Sequence, residues 1–362
     1  MAYSQPARAG NRPPRAAVPG RRRRRVLLSA VLALLFAAAA LPAAGQLRSD
    51  KPSTWANNPT YVSGIRWPLT GQGAFVLGSG RPAASPDERP VAIASLAKVM
   101  TAYLTLERYP LSGAQDGFTI TITAAQAQAA AQDARQGQSV VAVEAGEHLT
   151  ERQLLEALLI PSGNNVAQLL AAQVAGSQTR FVAEMNAEAR ALGLEHTIYT
   201  DPTGFDPSTV STAADQLRVF RQTMRFPAFR QIVSMPSVTL PVAGTLTNYD
   251  PLIAQGYAGK TGSDSAAVGC LAFFTSVTVA GRRMTAVGVV LGQGAGSDTS
   301  ALLAAAGQAA EQLVESFGPG DGQKHDRPTR CDGWSSGTRR PPSPPAGTRS
   351  WSPLGTALIA AG

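Results

Sequence analysis

Residues Glu88-Arg-Pro-Val-Ala-Ile-Ala-Ser-Leu-Ala-Lys-Val-Met-Thr-Ala-Tyr103 carry a Ser-x-x-Lys step, Ser95 and Lys98, at the head of an apolar helical pattern. Leu96, Val99, Met100, Tyr103 and Leu104 recur at helical spacing, so the stretch predicts a helix running on from Ser95. Positions i and i+3 share a helix face, which brings the Lys98 amine within reach of the Ser95 hydroxyl. A serine is a weak nucleophile without a neighbouring base. Lysine can be that base where burial and a nearby positive charge lower its pKa. Taken alone, the pattern is a weak signal, and an N-cap serine followed by a surface lysine is the commoner reading.

Lysine usage along the chain sharpens the choice. Of 32 Lys and Arg residues only four are Lys: Lys51, Lys98, Lys260 and Lys324. Between residues 60 and 317 there are 14 Arg, but the only lysines are Lys98 and Lys260. Lys can lose its proton when buried, whereas Arg effectively cannot. A catalytic base is one reason for a chain that otherwise prefers Arg to keep Lys at these two places.

Two further short motifs fall in a fixed order after the first. Ser162-Gly163-Asn164 follows Pro161, and Lys260-Thr261-Gly262 precedes an apolar hairpin pattern. Alone the first reads as an ordinary turn and the second is equally unremarkable. The order Ser-x-x-Lys, Ser-x-Asn, Lys-Thr-Gly resembles that of penicillin-binding proteins and serine β-lactamases, and it captures both lysines of the region. The surroundings resemble the low-molecular-mass D-alanyl-D-alanine carboxypeptidases in four segments. They are Glu88 to Tyr103, Glu144 to Asn165, Asp201-Pro-Thr-Gly-Phe-Asp206 with Ser211-Thr-Ala-Ala-Asp215, and Leu246-Thr-Asn248 ahead of Gly259-Lys-Thr-Gly262.

That resemblance implies an α+β, β-lactamase/transpeptidase-like domain and an acyl-serine peptidase that needs no metal or cofactor. It implies that Ser95 attacks the bond between the terminal D-alanines of a peptidoglycan pentapeptide, with Lys98 as its base. Ser162 would relay a proton to the leaving amine, Asn164 would bind the substrate amide, and Lys260 and Thr261 would meet its carboxylate. Gly262 completes the third motif, and the N–H groups of Ser95 and Ser263 would form the oxyanion hole. β-Lactams would be covalent inhibitors. Two departures stand out: Ala97 replaces a common Thr, and Ser263-Asp264 replaces an aromatic or His followed by Thr. Asp264 adds a carboxylate where an anionic substrate would dock.

Three rival readings follow from the same residues. In class A β-lactamases a Glu in a Glu-x-x-Leu-Asn segment speeds deacylation; Glu184, Glu188 and Glu195 lie in the right stretch, but none has that sequence. An esterase or amidase could use the same lysine-activated serine. A binding-only peptidoglycan module would have no need for a nucleophile and its base.

Charge and composition set the boundaries. The net charge of +8 resides at the ends: residues 1–25 carry +8 and residues 318–362 carry +3, leaving −3 for 26–317. A nucleic-acid footprint on the folded part is therefore not expected. Arg21 to Arg25 precede the apolar run Val26 to Leu41 and small residues to Gly45, the pattern of a signal peptide or an uncleaved N-terminal anchor. The basic segment 1–25 is expected to stay in the cytoplasm and everything beyond 45 outside, secreted or held on the outer face of the membrane through 26–45. Residues 46–70 read as a linker, 71–317 as the peptidase domain, and the Gly/Pro-rich 318–362 as disordered. Cys270 and Cys331 predict neither a disulfide nor a metal site, and His148, His196 and His325 are scattered singly.

Within the domain the pattern predicts a strand at Phe75 to Leu77, helix at 126–136 and strand at Val140 to Val143. Thr150 and Gln153 predict a capping box opening a helix to Leu159. Helices at 165–175 and 180–192, a hairpin over 266–291 and a closing helix at 300–317 follow. Helices flanked by strands at both ends predict an antiparallel sheet joining the first and last strands beside a helical cluster.

Overall fold

The computed structural model describes residues 64–317. Expectations for 1–25, 26–45, most of 46–70 and 318–362 lie outside the described residues. The strands are β1 (Gln72–Leu77), β2 (Ala83–Ala84), β3 (Val91–Ala92), β4 (Thr119–Thr121), β5 (His148–Thr150), β6 (Val210–Ser211), β7 (Ser237–Leu240), β8 (Gly244–Thr247), β9 (Ala258–Asp264), β10 (Val268–Val279) and β11 (Arg282–Gln293). The helices are α1 (Ala97–Arg108), α2 (Ala124–Arg135), α3 (Glu151–Leu159), α4 (Asn164–Ala175), α5 (Gln178–Ala191), α6 (Ala213–Thr223), α7 (Pro227–Val233) and α8 (Thr299–Glu315).

The first strand does join the last ones. The main sheet has the order β2-β1-β11-β10-β9, and the pairs within it are antiparallel, with Phe75 opposite Gly288 and Phe273 opposite Gly288 from the other side. Alternation along the strands sorts the side chains into two layers. Phe75, Leu77, Leu271, Phe273 and Val290 pack beneath α8 with Ala306, Ala310 and Leu313. Ala74, Val76, Cys270, Ala272, Val289 and Leu291 face the helical cluster, where they meet Leu96, Met100, Leu155, Leu170 and Phe220. Burying one such Leu or Phe fully contributes about 2 kcal/mol, so the sheet is fastened on both faces. The architecture is α+β, with the helices α1 to α7 on one side and α8 on the other.

Local chemistry explains the element boundaries. Thr150 accepts from the Gln153 N–H while the Gln153 side chain accepts from Thr150 N–H, the reciprocal cap the sequence predicts. Thr123 and Gln126 form a second one at the start of α2. The β10–β11 turn puts Ala280 and Gly281 both at positive φ, the backbone twist that a tight hairpin requires. One expectation is corrected: Val140 to Val143 is not a strand. Both backbone polar groups of Val141 are taken by the Asn165 side chain, at 3.0 and 2.9 Å, so no ladder forms there. Among the described residues no helix is long and apolar enough to cross a membrane.

Candidate active site

Ser95 sits in a 3-10 turn, Ala94–Leu96, that feeds α1. Ala94 has φ +44, a left-handed conformation that a non-glycine residue adopts only when its surroundings force it. Two close backbone approaches do so. A Cβ on Gly204, itself at φ +76, would lie 1.8 Å from the Ala94 carbonyl oxygen. A Cβ on Gly262 would come within 3.0 Å of Ile93 O and 3.2 Å of Leu96 N. The loop 201–206 and strand β9 therefore clamp the serine turn from two directions.

Lys98, one residue into α1, is fully buried. Its Nζ lies 2.7 Å from Ser95 Oγ, 2.7 Å from Asn164 Oδ1 and 3.0 Å from the Thr203 carbonyl oxygen. A neutral amine has two N–H bonds and one lone pair. Two of its three neighbours are carbonyl oxygens that can only accept, so they take the two N–H bonds. The lone pair is then left facing Ser95 Oγ–H, the disposition of a general base. Burial pushes the Lys98 pKa well below its usual value, the charge of Lys260 pushes the same way, and Asp201 opposes them.

The second motif forms the turn between α3 and α4. Ser162 adopts φ +62 and is buried, and its Oγ has no hydrogen-bond partner among the described residues. A buried unpaired hydroxyl costs about 1–3 kcal/mol, so it stands ready for an incoming group. Asn164, besides holding Lys98, donates from Nδ2 to Gln138 Oε1 at 2.8 Å. Its second Nδ2 hydrogen is available to a ligand carbonyl.

The third motif lies within β9, the edge strand of the main sheet. Lys260 is fully buried, and its Nζ donates to the Thr261 carbonyl at 2.8 Å. Burial pulls its pKa down to about 7 against the opposing charge of Asp250. Asp250 is itself buried, with Oδ1 accepting from Leu252 N–H. Asp264 is less free than its position in the sequence implies. Its Oδ1 accepts from Ala266 and Ala267 N–H at 2.7 and 2.6 Å, so the carboxylate ties the β9–β10 turn.

A cleft of about 220 Å³ opens above these groups, lined by Ser95, Ser162, Asn164, Thr261, Gly262 and Ser263. All eight residues singled out in the sequence thus converge, six on the cleft wall and the two lysines buried beside them. Among the described residues no group of three or more His, Cys, Asp or Glu is placed to hold a metal ion. Three contributors escape the motif pattern. Thr203 supplies only a backbone oxygen, Asp201 organises the loop by accepting from Thr203 and Gly204 N–H, and Gln138 meets Asn164 from the loop after α2. The segment Asp201 to Asp206 carries the only sequence signal for any of them, through its family-like spelling.

The buried amines have a measurable consequence. Each binds its proton more weakly in the folded than in the unfolded chain, so stability rises with pH. The rise is complete above the unfolded value of 10.5 and is lost as pH falls toward about 7 for Lys260, and lower for Lys98. Each amine contributes up to about 1.4 kcal/mol per pH unit in that window. Urea unfolding of the full chain from pH 7 to 9 is expected to show this climb, and Lys260→Met to remove about half of its slope, Lys98 supplying the rest. A pH-independent stability would mean that the lysines are buried charged.

The D-alanyl-D-alanine carboxypeptidase family profile matches residues 82–295. A D-alanyl-D-alanine carboxypeptidase of Mycobacterium tuberculosis is 36% identical over 183 residues, covering 48% of this chain and 58% of that protein. A D-alanyl-D-alanine endopeptidase of Pseudomonas aeruginosa is 32% identical over 152 residues, covering 41% of this chain and 45% of that one. The matched stretch thus spans about half the length of these relatives. A solved variant of the Streptomyces K15 DD-transpeptidase superposes with a TM-score of 0.58 at 25% identity, covering 68% of this chain and 97% of that chain. With over half of its length matched by the profile and the three motifs gathered around one cleft, the chain belongs to the D-alanyl-D-alanine carboxypeptidase family.

Proposed function

We propose that this chain is a serine-type D-alanyl-D-alanine carboxypeptidase that removes the terminal D-Ala from peptidoglycan stem peptides. The observation that carries the reading is the Lys98 amine, held by two carbonyl oxygens with its lone pair toward Ser95 Oγ. Lys98 takes the Ser95 proton as Oγ attacks the penultimate carbonyl carbon, and the N–H groups of Ser95 and Ser263 receive the developing oxyanion. The C–N bond then breaks, Ser162 relays a proton to the departing D-Ala amine, and an acyl ester remains on Ser95. Water cleaves the ester. Lys260 and Thr261 hold the substrate carboxylate, Gly262 lets β9 approach the serine, and Asn164 offers its second Nδ2 hydrogen to the substrate amide. Export through the N-terminal segment would place the domain outside the cytoplasmic membrane, where this substrate lies, with 26–45 as the only membrane contact.

The β-lactamase alternative is disfavoured because none of the three glutamates weighed for deacylation reaches the cleft. Glu184 lies 3.9 Å from Arg108, Glu188 accepts from Tyr103 Oη at 3.1 Å, and neither they nor Glu195 line the cleft. Incubating the full chain with benzylpenicillin and measuring intact mass, followed by peptide mapping, separates the readings. One slowly released equivalent on the peptide containing Ser95 is expected, together with D-Ala release from a peptide ending in D-Ala-D-Ala. Penicillin consumed without an adduct would mean a β-lactamase; penicillin left intact would mean a binding module.

A further inference from the structure

The base geometry depends on which way round Asn164 sits. A carboxamide has an accepting end and a donating end of nearly equal shape, so Asn164 fits its slot in two orientations. With Oδ1 toward Lys98, the amine donates and its lone pair faces Ser95. With Nδ2 toward Lys98, the amide would donate into that lone pair and turn an amine N–H toward Ser95 instead, removing the base.

The far end of the amide decides between them. Asn164 Nδ2 donates to Gln138 Oε1 at 2.8 Å. Gln138 is another carboxamide with the same ambiguity, and its Nε2 rests against Asp133 Oδ1 at 3.3 Å and Gln136 Oε1 at 3.4 Å. An ionised carboxylate can accept but never donate. Asp133 therefore forces Nε2 of Gln138 toward itself, which forces Oε1 toward Asn164, which forces Oδ1 toward Lys98. The loop is doubled back to make this contact: Gln138 N–H donates to the Asp133 carbonyl at 3.1 Å, just past the end of α2. Asp133 Oδ2 is buried without a hydrogen-bond partner among the described residues, a further acceptor and not a donor at that end of the chain of bonds.

From this we infer that Asp133 and Gln138 are positioning residues that set the direction of the hydrogen-bond chain ending on Lys98. The inference rests on the reading of Ser95 and Lys98 as nucleophile and base. It assigns a role in the reaction to a loop outside the three motifs.

Two variants that each place a charge at position 138 but oppose one another in polarity test it. Gln138→Lys presents only donors to Asn164, inverts the chain, and is expected to slow acylation of the full chain by benzylpenicillin about thirtyfold. Gln138→Glu combined with Asp133→Asn presents only acceptors to Asn164 and gives the new carboxylate a donor, so acylation is expected within about threefold of wild type. The pH profile adds a readout that loosened packing would move the other way. In Gln138→Lys a protonated Lys98 would face an N–H donor, so the acid limb falls to lower pH; admitting water would raise it. Lys260 and Asp201, the charged groups acting on Lys98 in the wild type, are kept in every variant, so the charge at position 138 is the one added near it.

Thermal unfolding is measured first. If Gln138→Lys does not fold, Asp133→Lys inverts the same chain one step further from the site. Equal slowing in the lysine and the Glu/Asn variants, or wild-type rates in the inverted one, would overturn the inference. Failure of the wild type itself to be acylated would instead overturn the proposed function.

Discussion

Lys98→Met is expected to slow acylation of Ser95 by about a thousandfold while the chain still folds. Methionine nearly matches the volume of the lysine stem and carries no charge, so the fully buried slot stays filled. What disappears is the lone pair 2.7 Å from Ser95 Oγ. Asn164 Oδ1 and the Thr203 carbonyl oxygen each lose a donor, at about 1–3 kcal/mol apiece, partly offset because no amine need be stripped of water. Lys98→Arg should behave differently. A guanidinium cannot give up its proton, and the two carbonyl oxygens beside it carry no full counter-charge. Arginine is therefore expected to lose both activity and several kcal/mol of stability, whereas methionine loses chiefly activity. Time-resolved intact mass against penicillin, with a thermal melt of each variant, separates the two. A Met variant acylated within tenfold of wild type would remove Lys98 from the role of base.

The contrast between Met and Arg also explains why the lysines were legible in the sequence. Lys98 and Lys260 are the only lysines between residues 60 and 317 and are both fully buried, in a chain whose other cations there are arginine. The sheet was legible for a different reason: β10 and β11 carry continuous apolar runs, buried on both faces, on either side of a short turn around Gly281. Helix α6 has a start that the sequence also spells out. Thr212 accepts from Asp215 N–H, the Thr-x-x-Asp form of an N-terminal cap. Pro227 at the first position of α7 was a similar signal.

Other parts of the site had no signature to read. Thr203 contributes a backbone oxygen, and any residue has one. Gln138 lies 26 positions from Asn164, and nothing in an Ala/Gln-rich stretch marks that glutamine from its neighbours. Val140 to Val143 looked like a strand because its side chains suit one. The Asn165 side chain, 24 positions on, took its backbone groups instead. Side-chain competition for backbone bonds is a tertiary event, invisible to periodicity.

Strain is concentrated where the chemistry is. Of the non-glycine residues at positive φ, Ala94 and Ser162 adjoin or belong to the reacting groups, while Val268 and Ala280 lie at strand ends and turns. Each such residue costs about 1–3 kcal/mol and persists only where packing over-determines it. For Ala94 that packing is the loop 201–206, whose Asp201 carboxylate accepts from Thr203 N–H at 2.6 Å and Gly204 N–H at 2.8 Å. The same loop delivers the Thr203 oxygen to Lys98 and a threonine-bonded oxygen to α1, since Thr101 Oγ1 donates to the Pro202 carbonyl at 2.7 Å. Serine turn, base and loop are thus one mechanical unit.

Gly204→Ala is expected to break that unit. The new Cβ would sit 1.8 Å from the Ala94 carbonyl oxygen, so either the serine turn or the loop must move. Movement of about 1 Å at reacting atoms costs on the order of a hundredfold in rate, and the displaced loop would take Thr203 O from Lys98. Stability should fall by about 2–4 kcal/mol, from the clash and from the φ of +76 that alanine resists. Gly176→Ala is the matched control. Its φ is +77, almost the same, but a Cβ there meets nothing within 4 Å. It should cost about 1 kcal/mol and leave acylation unchanged. If the two variants acylate alike, the loop does not hold the serine turn in place, and the positive φ of Ala94 must be enforced from β9 alone.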